Sequence, residues 1–262
     1  MSLTINTNLA ALNAQRNLNN TENMLGSTME RLASGLRINS AAEDVAGYAI
    51  SETMQGQVDG LNQAIQNIQD GVSLAQTAQG ALNSVMQMLQ RVRELAVEYA
   101  NGTTSEASKE AIGSEVAQLV SEIESVGEST KFDGVTLLGE SSSSVTFQIG
   151  ANEGETVTVS TISLGAEIGT ISAAEIKSVD EAIEKVASAA GEFGSVQDRI
   201  QYTESNLEVY SQNLTAALSA IKDVNMASEM TNDTKLNVLQ QAGISVLSQA
   251  NSQPQAILKL LE

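Results

Sequence analysis

VDGLNQAIQNIQDGVSLAQTAQGALNSVMQMLQRVRELAVEYA, residues Val58 to Ala100, is the stretch that decides the fold. Steps alternating between three and four residues select Val58, Leu61, Ile65, Ile68, Val72, Ala75, Gln79, Leu82, Met86, Leu89, Arg93, Ala96 and Ala100. Only Gln79 and Arg93 interrupt the apolar series. Because an α-helix turns once every 3.6 residues, this spacing lines one face with apolar side chains. At 1.5 Å per residue the helix runs about 65 Å, far beyond a usual globular helix, and reads as one arm of a coiled-coil-like bundle. Asn101-Gly102 ends it.

Working outward, Thr103 and Glu106 have the spacing of a capping box for a second helix, with Ile112, Val116, Leu119, Ile123 and Val126 on one face. Ser178 and Glu181 form another such box, after which Val186, Phe193, Ile200, Leu207, Leu214 and Ile221 recur every seventh residue. This helix matches the Val58–Ala100 arm in length, so the two are expected side by side and antiparallel, with the shorter helix against them. Between them the period changes. Val145, Phe147 and Ile149 alternate, Gly150 to Gly154 supply a loop, and Val157 and Val159 alternate again, which predicts a β-hairpin within about 131–171. Phe132-Asp133-Gly134-Val135 predicts a second tight turn. Ser141 to Ser144 reads as an exposed, solvated loop tip. The fold class is therefore mainly α: a long antiparallel coiled-coil-like bundle with a small β-hairpin region.

The two ends repeat the helical pattern with almost no charge. Residues 1–21 carry only Arg16, and Leu236 to Leu258 carry none, although the chain as a whole has a net charge of −19. Leu18, Leu25 and Leu32 fall seven apart, with Met29 and Leu36 in the next seam. At the other end Leu236, Leu239, Gly243, Val246, Ala250, Gln253, Ile257 and Leu260 step by three and four. Pro254 lies inside that pattern, and lacking an N–H it should bend or loosen the helix locally. Both ends read as an antiparallel pair. In a self-contained bundle the pair completes the monomer; in a polymer its outside is covered by neighbouring copies. The expected division is 1–43 and 228–262 as the two parts of a terminal helical domain, with 44–227 between them.

Composition excludes much chemistry. Histidine and cysteine are both absent, so a Ser/His/Asp or Cys/His nucleophile pair and the common zinc sites cannot be built. No G-x-S-x-G elbow occurs, and the adjacent Glu43 and Asp44 have no metal-loop spacing after them. They read as acidic surface or as a helix N-terminus favoured by the dipole. The expectation is no enzyme, no cofactor and no metal. Acidic charge also argues against nucleic acid. No apolar run has the roughly 20 residues that span a bilayer, and Met1 to Asn8 lacks the basic and apolar regions of a secretory signal. Asn101-Gly102-Thr103 is a sequon short enough to arise by chance.

ERLASGLRINSA, Glu30 to Ala41, followed by DVAGYAIS, Asp44 to Ser51, closely resembles the amino-terminal signature of bacterial flagellin. QRVRELAV at Gln90–Val97, FQIGANEGET at Phe147–Thr156 and LQQAGISVL at Leu239–Leu247 agree in order, and Asn251, Pro254 and Gln255 extend the last match. The resemblance covers nearly the whole chain. It implies an extracellular, structural subunit of the flagellar filament, exported through the flagellar type III channel and polymerised at the distal tip. Paired terminal helices would form the inner tube, and the long helices with the hairpin a layer around it. Many flagellins insert outer domains after the hairpin, whereas here a few residues separate Thr170 from Ser178, so a thin filament with that layer exposed is expected. An export chaperone, cap and hook-junction proteins are the partners implied.

By the same resemblance Leu18, Leu25, Leu32, Arg91, Leu95, Glu115, Leu239, Val246, Ile257 and Leu260 are expected at subunit contacts. Arg91, Leu95 and Glu115 also match positions by which some flagellins engage the animal Toll-like receptor for flagellin, which makes them candidate receptor contacts. Two other functions compete. A hook-filament junction protein of the same superfamily shares the terminal pattern, but the match through the hairpin and Gln90–Val97 favours flagellin. A cytoplasmic signalling coiled coil explains the heptads and leaves the uncharged ends unexplained.

Overall fold

The computed structural model describes residues 7–139, 144–165 and 171–261, with side chains on the last helix as far as Gln253. In chain order the elements are α1 (Leu9–Ser34), α2 (Val45–Tyr99), α3 (Glu106–Ser129), β1 (Lys131–Phe132), β2 (Val135–Thr136), β3 (Ser144–Gln148), β4 (Thr156–Ser160), α4 (Ile176–Lys222) and α5 (Met226–Leu261). The chain packs as two compact units: Met1–Gln55 with Leu214–Glu262, and Gly56–Asn213.

In the unit Gly56–Asn213, α2 and α4 are antiparallel, as their cross-links show. Ser211 donates to Asn62 at 3.4 Å, Gln69 to Glu204 at 3.3 Å and Arg93 to Asp180 at 2.6 Å, so numbers rise along one helix as they fall along the other. Ile68, Ala75, Leu82 and Leu89 from α2 and Val186, Phe193 and Ile200 from α4 share one buried core with Ile123 of α3. A smaller core joins Val92, Leu95 and Ala96 to Ile112, Val116 and Val179. The heptads of α4 and the stagger of α2 thus mark the faces that meet, because burial of those stripes supplies most of a long helix's stability.

Two antiparallel hairpins lie in this unit. Asp133 and Gly134, at φ 47° and 80°, turn β1 into β2, with Phe132 opposite Val135. Two successive positive φ values are what a two-residue hairpin loop of twisted strands requires. Strands β3 and β4 pair from Ser144–Ser160 to Gln148–Thr156, and Val157 and Val159 point into the core. This hairpin lies on α2: Asn67 donates to the Gln148 carbonyl at 3.0 Å, and a Cβ on Gly60 would stand 3.0 Å from that of Ala151. Of the serine run, only Ser144 lies within the described residues.

Helix boundaries differ from expectation in three places. Helix α2 begins thirteen residues before Val58, at Val45, because Asp44 caps it by accepting from the Gly47 N–H at 2.8 Å. Ser105, not Thr103, caps α3, accepting from Ser108 N–H at 3.2 Å; Thr103 donates its N–H to the Asn101 side chain and stays in the turn. Helix α4 starts at Ile176, so Ser178 is inside its first turn and donates to the Glu175 carbonyl, while Glu181 pairs with Lys177. At the other end of the chain, α5 runs through Pro254 to Leu261 as one helix.

Candidate subunit-contact surfaces

The terminal pair is set by its breaks. Asn8 caps α1, accepting from Ala11 N–H at 3.0 Å, and Gly35 ends it at φ 73°, its N–H donated to the Arg31 carbonyl. Beyond that cap the chain is clipped to the gap between α4 and α5: Arg37 N–H donates to the Lys222 carbonyl at 2.7 Å and Val224 N–H to the Gly35 carbonyl at 3.0 Å. Asn225 then caps α5 through the Ser228 N–H. From this clip α1 and α5 run antiparallel, linked by Asn232 donating to Thr28 at 3.2 Å and by Asn8 donating to the Ala250 carbonyl at 2.8 Å.

Between those links lies the apolar seam. Ala14, Leu25 and Thr28 are buried from α1, and Leu18 and Leu32 are half-buried. From α5 the seam takes Leu236 and Ala250, which are buried, and Gly243, which faces Leu18. Leu239 and Val246 do not join it. They are 46% and 58% exposed. The three-and-four series on α5 therefore splits into two stripes: Leu236, Gly243 and Ala250 turn inward, and Leu239 and Val246 turn out. One helix partner can cover only one side of a cylinder, which is why a continuous series does not imply a single seam. The side chains of Ile257 and Leu260 lie outside the described residues.

The outward set is larger than the heptads indicated. Leu9, Leu12, Val238 and Ile244 are also about half exposed or more. The signal that could have found them was apolar residues beside a seam, such as Val238 next to Leu239, in stretches of the two helices that carry almost no charge to cover them.

A second surface lies on α2 and α3. The Arg91 guanidinium donates to Glu115 at 3.0 and 3.2 Å and to Glu94 at 3.2 Å. Hydrogen bonding to Glu115 first, then to Glu94, raises the Arg91 pKa. Asp180 acts likewise on Arg93. Leu95 departs from expectation. It is 2% exposed, packed in the smaller core, because Val92, Leu95 and Ala96 face Ile112, Val116 and Val179 while Arg91 stands at the edge.

Glu43 and Asp44 are explained by local structure. Asp44 is the α2 cap, and Glu43 accepts from the Asn39 N–H at 2.8 Å and from Arg31 at 2.9 Å. The Asn39 hydrogen bond, outweighing partial burial and helped by Arg31, lowers the Glu43 pKa. Among the described residues no group of three or more acidic side chains is placed to hold a metal ion, and no helix is long and apolar enough to cross a membrane.

Two family models match the chain, the bacterial flagellin N-terminal helical region over residues 5–143 and the bacterial flagellin C-terminal helical region over 176–261. The chain belongs to the bacterial flagellin family. This flagellin is 45% identical to a flagellin of Halalkalibacterium halodurans and 40% identical to one of Bacillus subtilis, each over 98% of this chain and 99% of the relative. A flagellar filament 33 kDa core protein of Treponema phagedenis is 39% identical over the same shares. The crystal structure of Bacillus cereus flagellin aligns at a TM-score of 0.51 with 27% identity, covering 58% of this chain and 94% of that one. The family is structural, and this flagellin is a subunit of the extracellular flagellar filament; neither the junction protein nor the signalling coiled coil is favoured.

Proposed function

We propose that copies of this chain join through the outward faces of α1 and α5, with Leu239 and Val246 at the contact and Leu18, Leu25 and Leu32 holding the pair that presents them. The observation that carries this is the exposed apolar stripe left after the α1–α5 seam closes. Fully covering a Val, Leu or Ile side chain stabilises by about 1.5–3 kcal/mol, so several per chain make a strong driving force for association. Ile257 and Leu260 extend the same tail. In the polymer, 1–43 and 228–262 act as the tube-forming part and 44–227 as the layer around it, giving a thin filament. By family resemblance the chain is exported unfolded, with a chaperone, cap and hook-junction proteins as partners. We assign it no catalytic role.

The test is seeded polymerisation of purified chain followed by electron microscopy. Long tubes are expected. A folded chain that never elongates seeds at any concentration or salt would overturn the proposal.

The exposed Arg91–Glu115–Glu94 network favours a second role on the same chain, recognition by the animal Toll-like receptor, with Leu95 shaping the surface from beneath. Arg91→Glu in dissociated chain should then abolish receptor signalling while the fold is kept. Unchanged signalling would remove the role.

A further inference from the structure

The chain has no cysteine, tryptophan or histidine, so its eight methionines are the side chains that two-electron oxidants reach first. Seven of them lie within the described residues, and of these Met54, on α2, is half-buried. Met86 and Met88 are half-buried against the main core. Met24, Met29, Met226 and Met230 are between 48% and 60% exposed. All four lie on the terminal pair near one end. Met24 and Met29 bracket Thr28, which bonds Asn232, and Met226 and Met230 fall between Asn232 and the Leu36–Asp223 bridge. A thioether is a soft, apolar group suited to filling irregular contacts, and so many of them open to water on one helix pair offers both adhesion and chemical vulnerability.

We propose that this quartet is a sulfoxidation site that decides whether a chain enters the filament. The inference rests on the outward faces of α1 and α5 being contacts between copies. With hydrogen peroxide as oxidant, the methionine sulfur lone pair attacks one peroxide oxygen. An S–O bond forms as the O–O bond breaks. The departing hydroxide takes up the proton of the transferred oxygen and leaves as water, and the thioether sulfur, having lost two electrons, becomes a sulfoxide. The product is polar and needs a hydrogen-bond partner that an apolar contact does not supply, so an oxidised face resists being covered. Chains already assembled are shielded, and chains awaiting assembly are not.

The experiment oxidises monomer with graded hydrogen peroxide, maps sulfoxides by peptide mass spectrometry, and measures elongation of unoxidised seeds by light scattering and electron microscopy. Met24, Met29, Met226 and Met230 should oxidise at least about fivefold faster than Met86 and Met88, and elongation should slow at least about tenfold. Treatment with methionine sulfoxide reductases A and B should restore it. In the variant with all four changed to Leu, the elongation rate should be the same after peroxide as before it, whatever its untreated value. The proposal is overturned if Met86 and Met88 oxidise as fast, if oxidised chain elongates normally, if reductase fails to restore growth, or if the Leu variant is equally poisoned. Failure of untreated chain to elongate seeds is a different result, which removes the subunit-contact proposal beneath it.

Discussion

Leu18 and Gly243 meet across the terminal helix pair so closely that a Cβ on Gly243 would stand 3.3 Å from the Leu18 Cδ1. Glycine costs a helix interior about 1 kcal/mol relative to alanine, and here it is placed where the partner helix approaches. Gly243→Ala should therefore change melting little, its better helix propensity offset by a shift of the Leu18 tip. Gly243→Leu should push the helices apart and lower the helical content of the terminal pair, read by circular dichroism and by faster trypsin cleavage at Arg16 and Lys235. Protection at both sites equal to that of the natural chain would contradict the close approach.

The two stripes of α5 give opposite mutational signatures. Leu236 is buried in the pair, so Leu236→Glu strands a carboxylate in the seam and should unfold α1 and α5 from each other, a class of change that commonly costs more than about 3 kcal/mol. Val246 is exposed, so Val246→Glu should leave melting within about 0.5 kcal/mol of the natural chain and stop seeded assembly. Melting and assembly are measured on the same preparations. A large loss of stability in Val246→Glu, or normal growth, would each refute the assignment of that stripe.

Leu95 and Arg91 should separate in the same way on the other surface. Leu95→Ala removes a core side chain and is expected to destabilise the unit Gly56–Asn213 by about 2–5 kcal/mol in urea melts. Arg91→Ala, at an exposed site, should move the midpoint little. Equal midpoints for the two variants would show that Leu95 is not the core residue described.

Acid should act on the link between α1 and α2 through Glu43. Its carboxylate has a lowered pKa in the folded chain, so it binds protons more weakly there than in the unfolded chain, whose glutamates titrate near about 4.3. The stabilisation is thus fully present above that value and lost as pH falls through the lower folded value. Glu43→Gln should lose stability at pH 7 and show a smaller fall between pH 6 and pH 3 than the natural chain. Parallel melting curves over that range would exclude the contribution.

Much of this architecture is legible from spacing alone. The heptads through Val186, Phe193 and Ile200, and the stagger from Leu61 to Ala96, mark stripes that are buried, because each stripe meets a partner helix. Asp133-Gly134 announces its turn, since few residue pairs tolerate two positive φ values. Other features depend on three-dimensional context. Ser105 outcompetes Thr103 as a cap because the preceding turn, closed by Asn101, places it at the first free N–H groups. Periodicity cannot say which of two adjacent stripes on α5 faces α1, and that choice determines whether Val246 is core or surface. Nor does the Gln90–Val97 segment reveal that Leu95 is inside and Arg91 outside, for a helix of this length has partners on more than one side.

The bond from Asn8 to the Ala250 carbonyl joins residues 242 positions apart, and that from Asn232 to Thr28 spans 204. Closing such distances in an unstructured chain is entropically slow, and it becomes favourable only after the intervening polypeptide has drawn the ends together. The β3–β4 hairpin, by contrast, closes over a short loop, and its backbone pairing uses nothing downstream of Ser160, although the core that Val157 and Val159 enter is completed by Val186 and Phe193. The two kinds of contact thus differ in when they can form. A chain appearing from its first residue onward can complete its hairpins long before its ends can meet, and α1 must wait without its partner until the final helix has arrived.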